Sequence, residues 1–334
     1  MLLRLTLLFL LVGATALAIA CSDSSDETLT IYSGRSESLV APLFEQFTED
    51  TGIDVEVRYG DTAELAATIL EEGDNSPADV YFAQDGGALG ALADEGLLAA
   101  VPEDTLALVP AQFRSPDGVW AGISGRSRVV AYSADLDESE LPDSILDFTD
   151  PKWSGRIGWA PTNGSFQSFV TGLRQLEGEE GARAWLEGIE ANNPTDYEGN
   201  SAAVEGVANG EVDVAFVNHY YLYQLIADQG DDFPVRNHFT GDGDPGSLIN
   251  VAGTAILDSS DNKDLAERFI EYLLAAEAQR YFAQETYEYP LVEGIEIDER
   301  LTPLDELNPP DIDLSDLADL QGTLDLLRET GVLP

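Results

Sequence analysis

A stretch that changes from strand-like to helix-like half-way along decides the fold, and it reads Val212-Asp213-Val214-Ala215-Phe216-Val217-Asn218-His219-Tyr220-Tyr221-Leu222-Tyr223-Gln224-Leu225. Its first half is short, apolar and β-branched, which predicts a buried strand. From Tyr220 to Asp228, apolar residues recur at spacings of three and four, which predicts a helix. Asn218 lies at the change and is a candidate N-cap. Tyr220 and Tyr221 are therefore predicted at a strand-to-helix junction.

This tyrosine pair has two interpretations. In open α/β sheets, ligands bind where strands end and helices begin, because helix N-termini offer free N–H groups and a positive dipole end. Most tyrosines on a helix are nevertheless core residues, and a helix N-terminus selects anions only weakly. Taken alone, Tyr220 and Tyr221 favour the core interpretation, and the rest of the chain must decide.

Strand-like and helix-like segments alternate on both sides of this stretch. The predicted strands are residues 28–32, 53–59, 78–82, 120–133, 156–160, 212–218 and 247–257. Predicted helices end near residues 49 and 96, begin near 166, and span 63–72, 201–209, 262–284 and 314–328. This rhythm specifies open, largely parallel sheets, and a length of 334 residues predicts two domains. The extended run Trp120–Ser133 is long enough to cross between two lobes.

The N-terminus indicates export. Met1–Ala20 has one basic residue, Arg4, followed by an apolar run, which is typical of a secretory signal peptide. Small residues precede Cys21, the single cysteine, and this pattern resembles a bacterial lipoprotein signal with cleavage and lipidation at Cys21. A single cysteine excludes a disulfide framework. We expect residues 1–20 to be removed and residues 21–27 to form a lipid-anchored tether. A released soluble form is the alternative.

The charge of the chain excludes several partners. Lys and Arg total 16 against 63 Asp and Glu, which gives a net charge of −47, or −48 once Arg4 is removed. Nucleic acid and anionic membrane surfaces are therefore poor partners, so the lipid anchor is the expected membrane attachment. The acidic residues are scattered along the chain, which favours a solvated acidic surface adapted to high salt over an acidic binding site.

No catalytic signature accompanies the strands and helices. The chain has only two histidines, His219 and His238, and no nucleophile-elbow motif that would support a Ser/His/Asp triad. Asp242-Gly243-Asp244 resembles part of a calcium loop but lacks the later ligands, so we interpret it as a turn. An enzyme is therefore not expected, and an exported hydrolase is the weakest alternative.

Four strand-to-helix junctions, at residues 33–36, 83–85, 161–165 and 218–221, are expected to line a cleft between two lobes. The first and third junctions supply hydroxyls, glycine N–H groups and the Arg35 guanidinium, which suit an anion. The fourth supplies phenols. Phenols without thiols and with few imidazoles suit a hard, highly charged cation.

Six segments carry a resemblance to one family. They are Leu29-Thr30-Ile31-Tyr32-Ser33-Gly34-Arg35, Ser76-Pro77-Ala78-Asp79-Val80, Ser124-Gly125-Arg126-Ser127-Arg128-Val129-Val130, Pro151-Lys152-Trp153, Asn218-His219-Tyr220-Tyr221 and Asp244-Pro245-Gly246-Ser247-Leu248. In order and context they resemble the iron(III)-binding proteins of ferric ABC transporters. The resemblance implies an α/β, two-lobed periplasmic-binding-protein fold of type II, in which crossing strands join the lobes. The implied N-terminal lobe is residues 28–125 plus 251–287, the C-terminal lobe 126–250, and the tail 288–334 packs on the C-terminal lobe.

The same resemblance implies the site. Tyr220 and Tyr221 would ligate iron, and Tyr132, which follows the Ser-Gly-Arg-Ser-Arg segment, would be a third ligand. Members with a histidine and a glutamate in the first two junctions differ from this chain, which has Ser36 and Gln84 there. The chain therefore resembles the subgroup that adds a synergistic anion such as carbonate. The implied anion-binding residues are Arg35, Asn163, Gly164, Ser165, Asn200 and Asn218. We interpret His219 as structural.

The resulting expectation is a monomeric extracytoplasmic binding protein for Fe(III). It would capture the ion through phenolates and carbonate, and deliver it to an ABC permease. A phenol has a pKa of ~10, so iron(III) must displace its proton. The runner-up is a binding protein of the same fold for phosphate, a phosphonate or a polyamine.

Overall fold

The computed structural model describes residues 28–334, so the expected signal peptide, the tether and Cys21 lie outside the described residues. The strands are β1 Thr28–Ser33, β2 Asp54–Tyr59, β3 Val80–Ala83, β4 Ala121–Ser133, β5 Ile157–Trp159, β6 Thr195–Asp196, β7 Val214–Asn218, β8 Val235–His238, β9 Ile249–Ile256 and β10 Tyr289–Pro290. The α-helices are α1 Glu37–Thr51, α2 Thr62–Glu72, α3 Gly86–Asp94, α4 Glu103–Leu106, α5 Gly164–Ala191, α6 Asn200–Ala208, α7 Tyr220–Gln229, α8 Lys263–Leu274, α9 Ala276–Gln284 and α10 Leu320–Glu329.

Strand β4 belongs to two sheets. Its first half, to Ser127, pairs antiparallel with β9, and β9 continues through β3 and β1 to β2 as the first sheet. Its second half, from Arg128, pairs antiparallel with β7 and β8, and β7 continues through β5 to β6 as the second sheet. The prediction that the run at 120–133 crosses between two sheets is confirmed.

The strand of the opening stretch is buried on both faces. In β7, Val214 and Phe216 belong to one apolar cluster with Trp153 and Trp185. Ala215 and Val217 point the other way, into a second cluster. Side chains alternate between the faces of a strand, so a strand covered on both faces has a continuous apolar sequence rather than an alternating one. This accounts for the uninterrupted run before Asn218.

Two predicted helices differ from those observed. Helix α1 begins at Glu37 and contains Pro42 in its second turn, although a proline is expected only in the first turn of a helix. The missing N–H of Pro42 removes a single hydrogen bond, to the carbonyl of the exposed Ser38. The predicted helix at 262–284 is two helices, because the backbone is extended at Ala275. The buried amide of Gln279 donates to the Leu273 carbonyl left free at this break, at 2.9 Å.

The C-terminal tail packs on both sheets. A 3₁₀ turn at Leu314–Ala318 lies against α3 of the first sheet, where Gly87 and Gly90 leave room for its backbone. Helix α10 packs on α5 and buries side chains in the core of the second sheet. We expected the tail to pack on the C-terminal lobe alone. In the structure it also contacts α3 of the first sheet. Between residues 28 and 334, no helix is both long enough and apolar enough to span a membrane.

Candidate metal and anion site

The tyrosine pair lies at the junction of β7 and α7. The two rings are stacked, with centroids 4.2 Å apart and planes at 29°. Tyr220 is buried and Tyr221 is partly buried. Neighbours inside a helix diverge by about 100°, so two adjacent rings can meet only where the helix begins. The N-cap position is His219, with φ of −57°, so the prediction of Asn218 as N-cap is wrong.

His219 is held by its neighbours on both sides. Its Nδ1 accepts a hydrogen bond from the Ser127 N–H at 3.2 Å, and its Nε2 lies 2.9 Å from the Tyr287 carbonyl, to which it donates. The ring stacks on Tyr289 at 4.4 Å. Burial lowers the pKa of His219 to about 4, so the ring is neutral. Both ring nitrogens are engaged, which agrees with the structural interpretation.

Three buried arginines interact electrostatically with the pair. Arg35 follows β1, while Arg126 and Arg128 lie on β4. Burial lowers the pKa of Arg35, but Glu288 and the two tyrosines together raise it above its usual value. Burial lowers the pKa of Arg128 to about 9, and the two tyrosines partly offset this effect. Both guanidinium groups therefore interact electrostatically with the two phenols.

Each of these arginines keeps N–H groups without a partner. Within the described residues 28–334, the buried Arg35 Nε, Arg126 Nε and Nη1, and Arg128 Nη2 have no hydrogen-bond partner. Unpaired buried donors of this kind are unfavourable unless an acceptor binds them, and charged donors are the strongest anion ligands. The sequence reasoning found Arg35 but missed Arg126 and Arg128. Their signal was two charges, two positions apart, in an otherwise apolar strand.

The predicted polar residues fall into two connected groups. Gln84, Ser165 and Asn218 line a narrow cavity together with Arg126 and Arg128. Asn218 accepts a hydrogen bond from Arg128 Nη1 at 3.1 Å, and the Gln84 carbonyl accepts one from Arg126 Nη2. The cavity therefore joins residues from both sheets.

The second group caps helix α5. The Asn163 side chain accepts from the Ser165 N–H and hydroxyl at 3.0 and 2.6 Å, and Asn200 donates to Asn163 at 3.0 Å. Gly164 is exposed at the first helical position. Ser165 belongs to both groups and so links Asn163 and Asn200 to the cavity that Arg126 and Arg128 line. Ser36 is exposed at the start of α1, next to Arg35.

The structure does not bring Tyr132 to the pair. Along β4, Arg128 is opposite Asn218 whereas Tyr132 is opposite Val214, at the other end of β7. Four residues of strand separate the two positions by ~13 Å. Tyr132 instead lines a groove with Glu138 and Arg236. Burial and Glu138 raise its pKa, while Arg236 lowers it. This separation does not support Tyr132 as a third ligand beside the pair.

Carboxylates, imidazoles and thiols do not form an alternative metal site. Among residues 28–334, no three His, Cys, Asp or Glu side chains are grouped so that they could hold a metal ion. Glu288, the carboxylate nearest the arginines, is already engaged by Arg35 through Nη2, 2.8 Å from each oxygen.

Comparison with known proteins identifies the family. The sequence profile of the family described as "Bacterial extracellular solute-binding protein" matches residues 42–298. The chain belongs to this family. The solute-binding protein is 35% identical to the "Major ferric iron-binding protein" of Neisseria meningitidis serogroup A, over 96% of this chain and 97% of that one.

Two solved structures share its fold. The crystal structure of iron-bound HitA from Pseudomonas aeruginosa matches with a TM-score of 0.85 and 40% identity, covering 91% of this chain and 99% of the other. A Trichodesmium protein in complex with iron and citrate ligands matches with a TM-score of 0.80 and 30% identity, covering 91% and 99%. The solute-binding protein therefore has the type II periplasmic-binding-protein fold, which confirms the predicted fold class.

Proposed function

We propose that this solute-binding protein is exported, captures iron(III) with the phenolates of Tyr220 and Tyr221, and delivers it to an ABC permease. The observation that carries the proposal is the stacked phenol pair beside three buried arginines. The relatives described above support the choice of metal, because their names and titles specify ferric iron or bound iron. Oxygen ligands of this kind suit a hard, highly charged ion.

Iron must displace protons to bind this pair. Burial raises the pKa of Tyr220 well above its usual value, and Tyr221 raises it further, while Arg126 and Arg35 lower it. The phenol of Tyr220 is therefore neutral at physiological pH in the ligand-free protein. Metal binding replaces the proton, so acidification favours release. Reduction to the softer iron(II) also favours release from phenolate oxygens.

A synergistic anion completes the proposed site. Iron(III) with two phenolates retains one positive charge, and the three neighbouring guanidinium groups are accompanied by one directly bonded carboxylate, Glu288. Free guanidinium donors beside a cation require a bridging anion. We propose carbonate, held by Arg35 and Arg128 with Ser165 and Asn218 close by. Gln84 supplies a neutral amide at the same cavity.

The proposed lobes follow the two sheets. Residues 28–125 with 251–287 form the N-terminal lobe, residues 126–250 form the C-terminal lobe, and residues 288–334 pack across both. Residues 1–20 are proposed to direct export, and Cys21 to carry the lipid anchor. The protein is proposed to act as a monomer whose closed, loaded form the permease recognises.

A ferric titration tests the proposal. Purified protein given a ferric chelate and carbonate should develop a visible phenolate-to-iron charge-transfer band. Tyr221→Phe should lose most of the band, whereas Tyr132→Phe should keep it and serves as the matched control. Wild-type protein without such a band, or a Tyr132→Phe variant that loses it, would contradict the assignment.

The arginines also support a second candidate, a protein that binds phosphate or a phosphonate without iron. Three buried guanidinium groups disfavour a polyamine, because like charges repel in a site of low dielectric constant. Under this alternative, phosphate would raise the melting temperature of metal-free protein, and ferric chelate would produce no coloured complex. Phosphate stabilisation together with a charge-transfer band would instead agree with the proposed iron site.

A further inference from the structure

Glu288 is a buried carboxylate bonded directly to the arginine cluster. It lies between α9 and β10, and Arg35 Nη2 donates to its two oxygens at 2.8 Å each. The hydroxyls of Ser124 and Thr286 donate to Oε2 at 3.1 and 3.2 Å. Arg126 Nε lies 3.9 Å from Oε1. Side chains that follow β1, lie on β4 and neighbour Glu288 in the chain therefore converge on one carboxylate.

The backbone around Glu288 is fixed to the tyrosine junction. Tyr287 has φ of 58°, a left-handed conformation that non-glycine residues adopt only when surrounding contacts enforce it. Its carbonyl accepts the hydrogen bond from His219, the residue before the tyrosine pair. Tyr289 stacks on the same ring and pairs with Gly125 of β4. Glu288 is therefore held at a set position relative to both Tyr220 and β4.

The Glu288 carboxylate lowers the net positive charge of the arginine cluster, and therefore the negative charge that a bound anion must supply. Arg35, Arg126 and Arg128 bring three buried positive charges, and Glu288 pairs directly with that of Arg35. Asp85 lies near Arg126 and caps α3 through the Ala88 N–H; burial raises its pKa. Glu288 also occupies Arg35 Nη2, while the buried Nε has no partner and is a donor that Arg35 can offer to a ligand.

We propose that Glu288 is an internal counter-ion and positioning residue of the anion site. It holds Arg35 toward the tyrosine pair and neutralises one arginine charge, so the cavity binds a less highly charged anion than three free arginines would. The inference rests on the proposed function, because it concerns the anion that accompanies iron. It assigns no metal-ligand role to Glu288.

Phosphate binding to metal-free protein tests this role without relying on iron. Glu288→Gln keeps the shape of the side chain and removes its charge, so inorganic phosphate should bind about tenfold more tightly by calorimetry. Glu285→Gln removes an exposed negative charge three residues away and is the matched control; its phosphate affinity should equal that of wild type. A purely structural role would lower the melting temperature of Glu288→Gln without strengthening phosphate binding.

A second variant, Glu288→Asp, tests the proposal if Glu288→Gln does not fold. Glu288→Asp keeps the charge but draws the carboxylate away from Arg35, so it should bind phosphate more tightly than wild type by a smaller factor, about threefold. Folded Glu288→Gln with unchanged or weaker phosphate binding overturns the proposal. If Glu288→Gln does not fold, wild-type affinity in Glu288→Asp overturns it. Loss of the ferric band in wild type would contradict the iron site alone, and the phosphate comparison would stand separately.

Discussion

The number of protons displaced by iron separates two phenolate ligands from three. The structure places Tyr220 and Tyr221 together and Tyr132 at the other end of β7. Each phenol that becomes a ligand must release one proton. The apparent iron affinity should therefore fall about 100-fold for each unit of pH below neutrality, which corresponds to ~2.7 kcal/mol. Three phenolates would give about 1000-fold and ~4.1 kcal/mol per unit.

Competition with a chelator across pH 6 to 8 measures this slope. The proton uptake of the chelator is determined in the same buffers, and sulfate replaces carbonate in a parallel series so that titration of the anion does not add to the slope. Tyr220→Phe should reduce the dependence to about tenfold per pH unit, because one phenol remains. Tyr132→Phe should leave the wild-type slope unchanged.

A steeper wild-type slope would refute the two-phenolate site. A dependence near 1000-fold per unit that falls to about 100-fold in Tyr132→Phe would show that Tyr132 reaches the metal, and that the ~13 Å separation does not persist in the loaded protein. A slope near tenfold in wild type would show that one of the paired phenols does not bind.

Three further results are expected. Arg128→Gln should weaken anion-supported iron binding by about tenfold to a hundredfold in carbonate titrations, because a charged donor to the anion is lost; unchanged anion dependence would contradict its role. Lowering the pH from about 6.5 to about 4 should reduce the unfolding free energy of metal-free protein by about 3 kcal/mol through His219, because its folded pKa is about 4 and the unfolded state takes up the proton first. Denaturant unfolding of His219→Gln should lack that component. If the acidic residues form a solvated coat, the melting temperature should rise steeply toward molar salt, and a flat dependence would exclude this interpretation.

Local sequence pattern was sufficient for the elements that position the site. The change from a β-branched run to helical spacing at Tyr220 marks the observed end of β7 and start of α7. The length of the run at 120–133 was enough to predict a crossing strand, because no single sheet needs thirteen consecutive paired residues. Both features are determined by residues that are neighbours in the chain, so the sequence pattern alone was enough to predict them.

Contacts between distant segments were not predictable in the same way. Arg35 and Glu288 are 253 residues apart, and Glu288 is one of 63 acidic residues with nothing local to distinguish it. The expected placement of Tyr132 beside the tyrosine pair was not met for a related reason. A matching motif says that a tyrosine follows Arg128 on β4, but only the register with β7 shows how far along the sheet it lies. Arg126 and Arg128 carried a local signal, charges within an apolar strand, that was not used.

Strand β4 links the shape of the molecule to the chemistry of the site. Ser124, Arg126 and Arg128 are spaced two residues apart, so their side chains leave the same face of the strand. Ser124 contacts Glu288, Arg126 contacts the Gln84 carbonyl beyond β3 of the first sheet, and Arg128 contacts Asn218 at the end of β7 in the second. Arg126 and Arg128 therefore connect β4 to segments of both sheets. The proposed anion between Arg35, which follows β1 of the first sheet, and Arg128, in the half of β4 that belongs to the second, would favour one relative position of the sheets and so would couple that position to occupancy of the site.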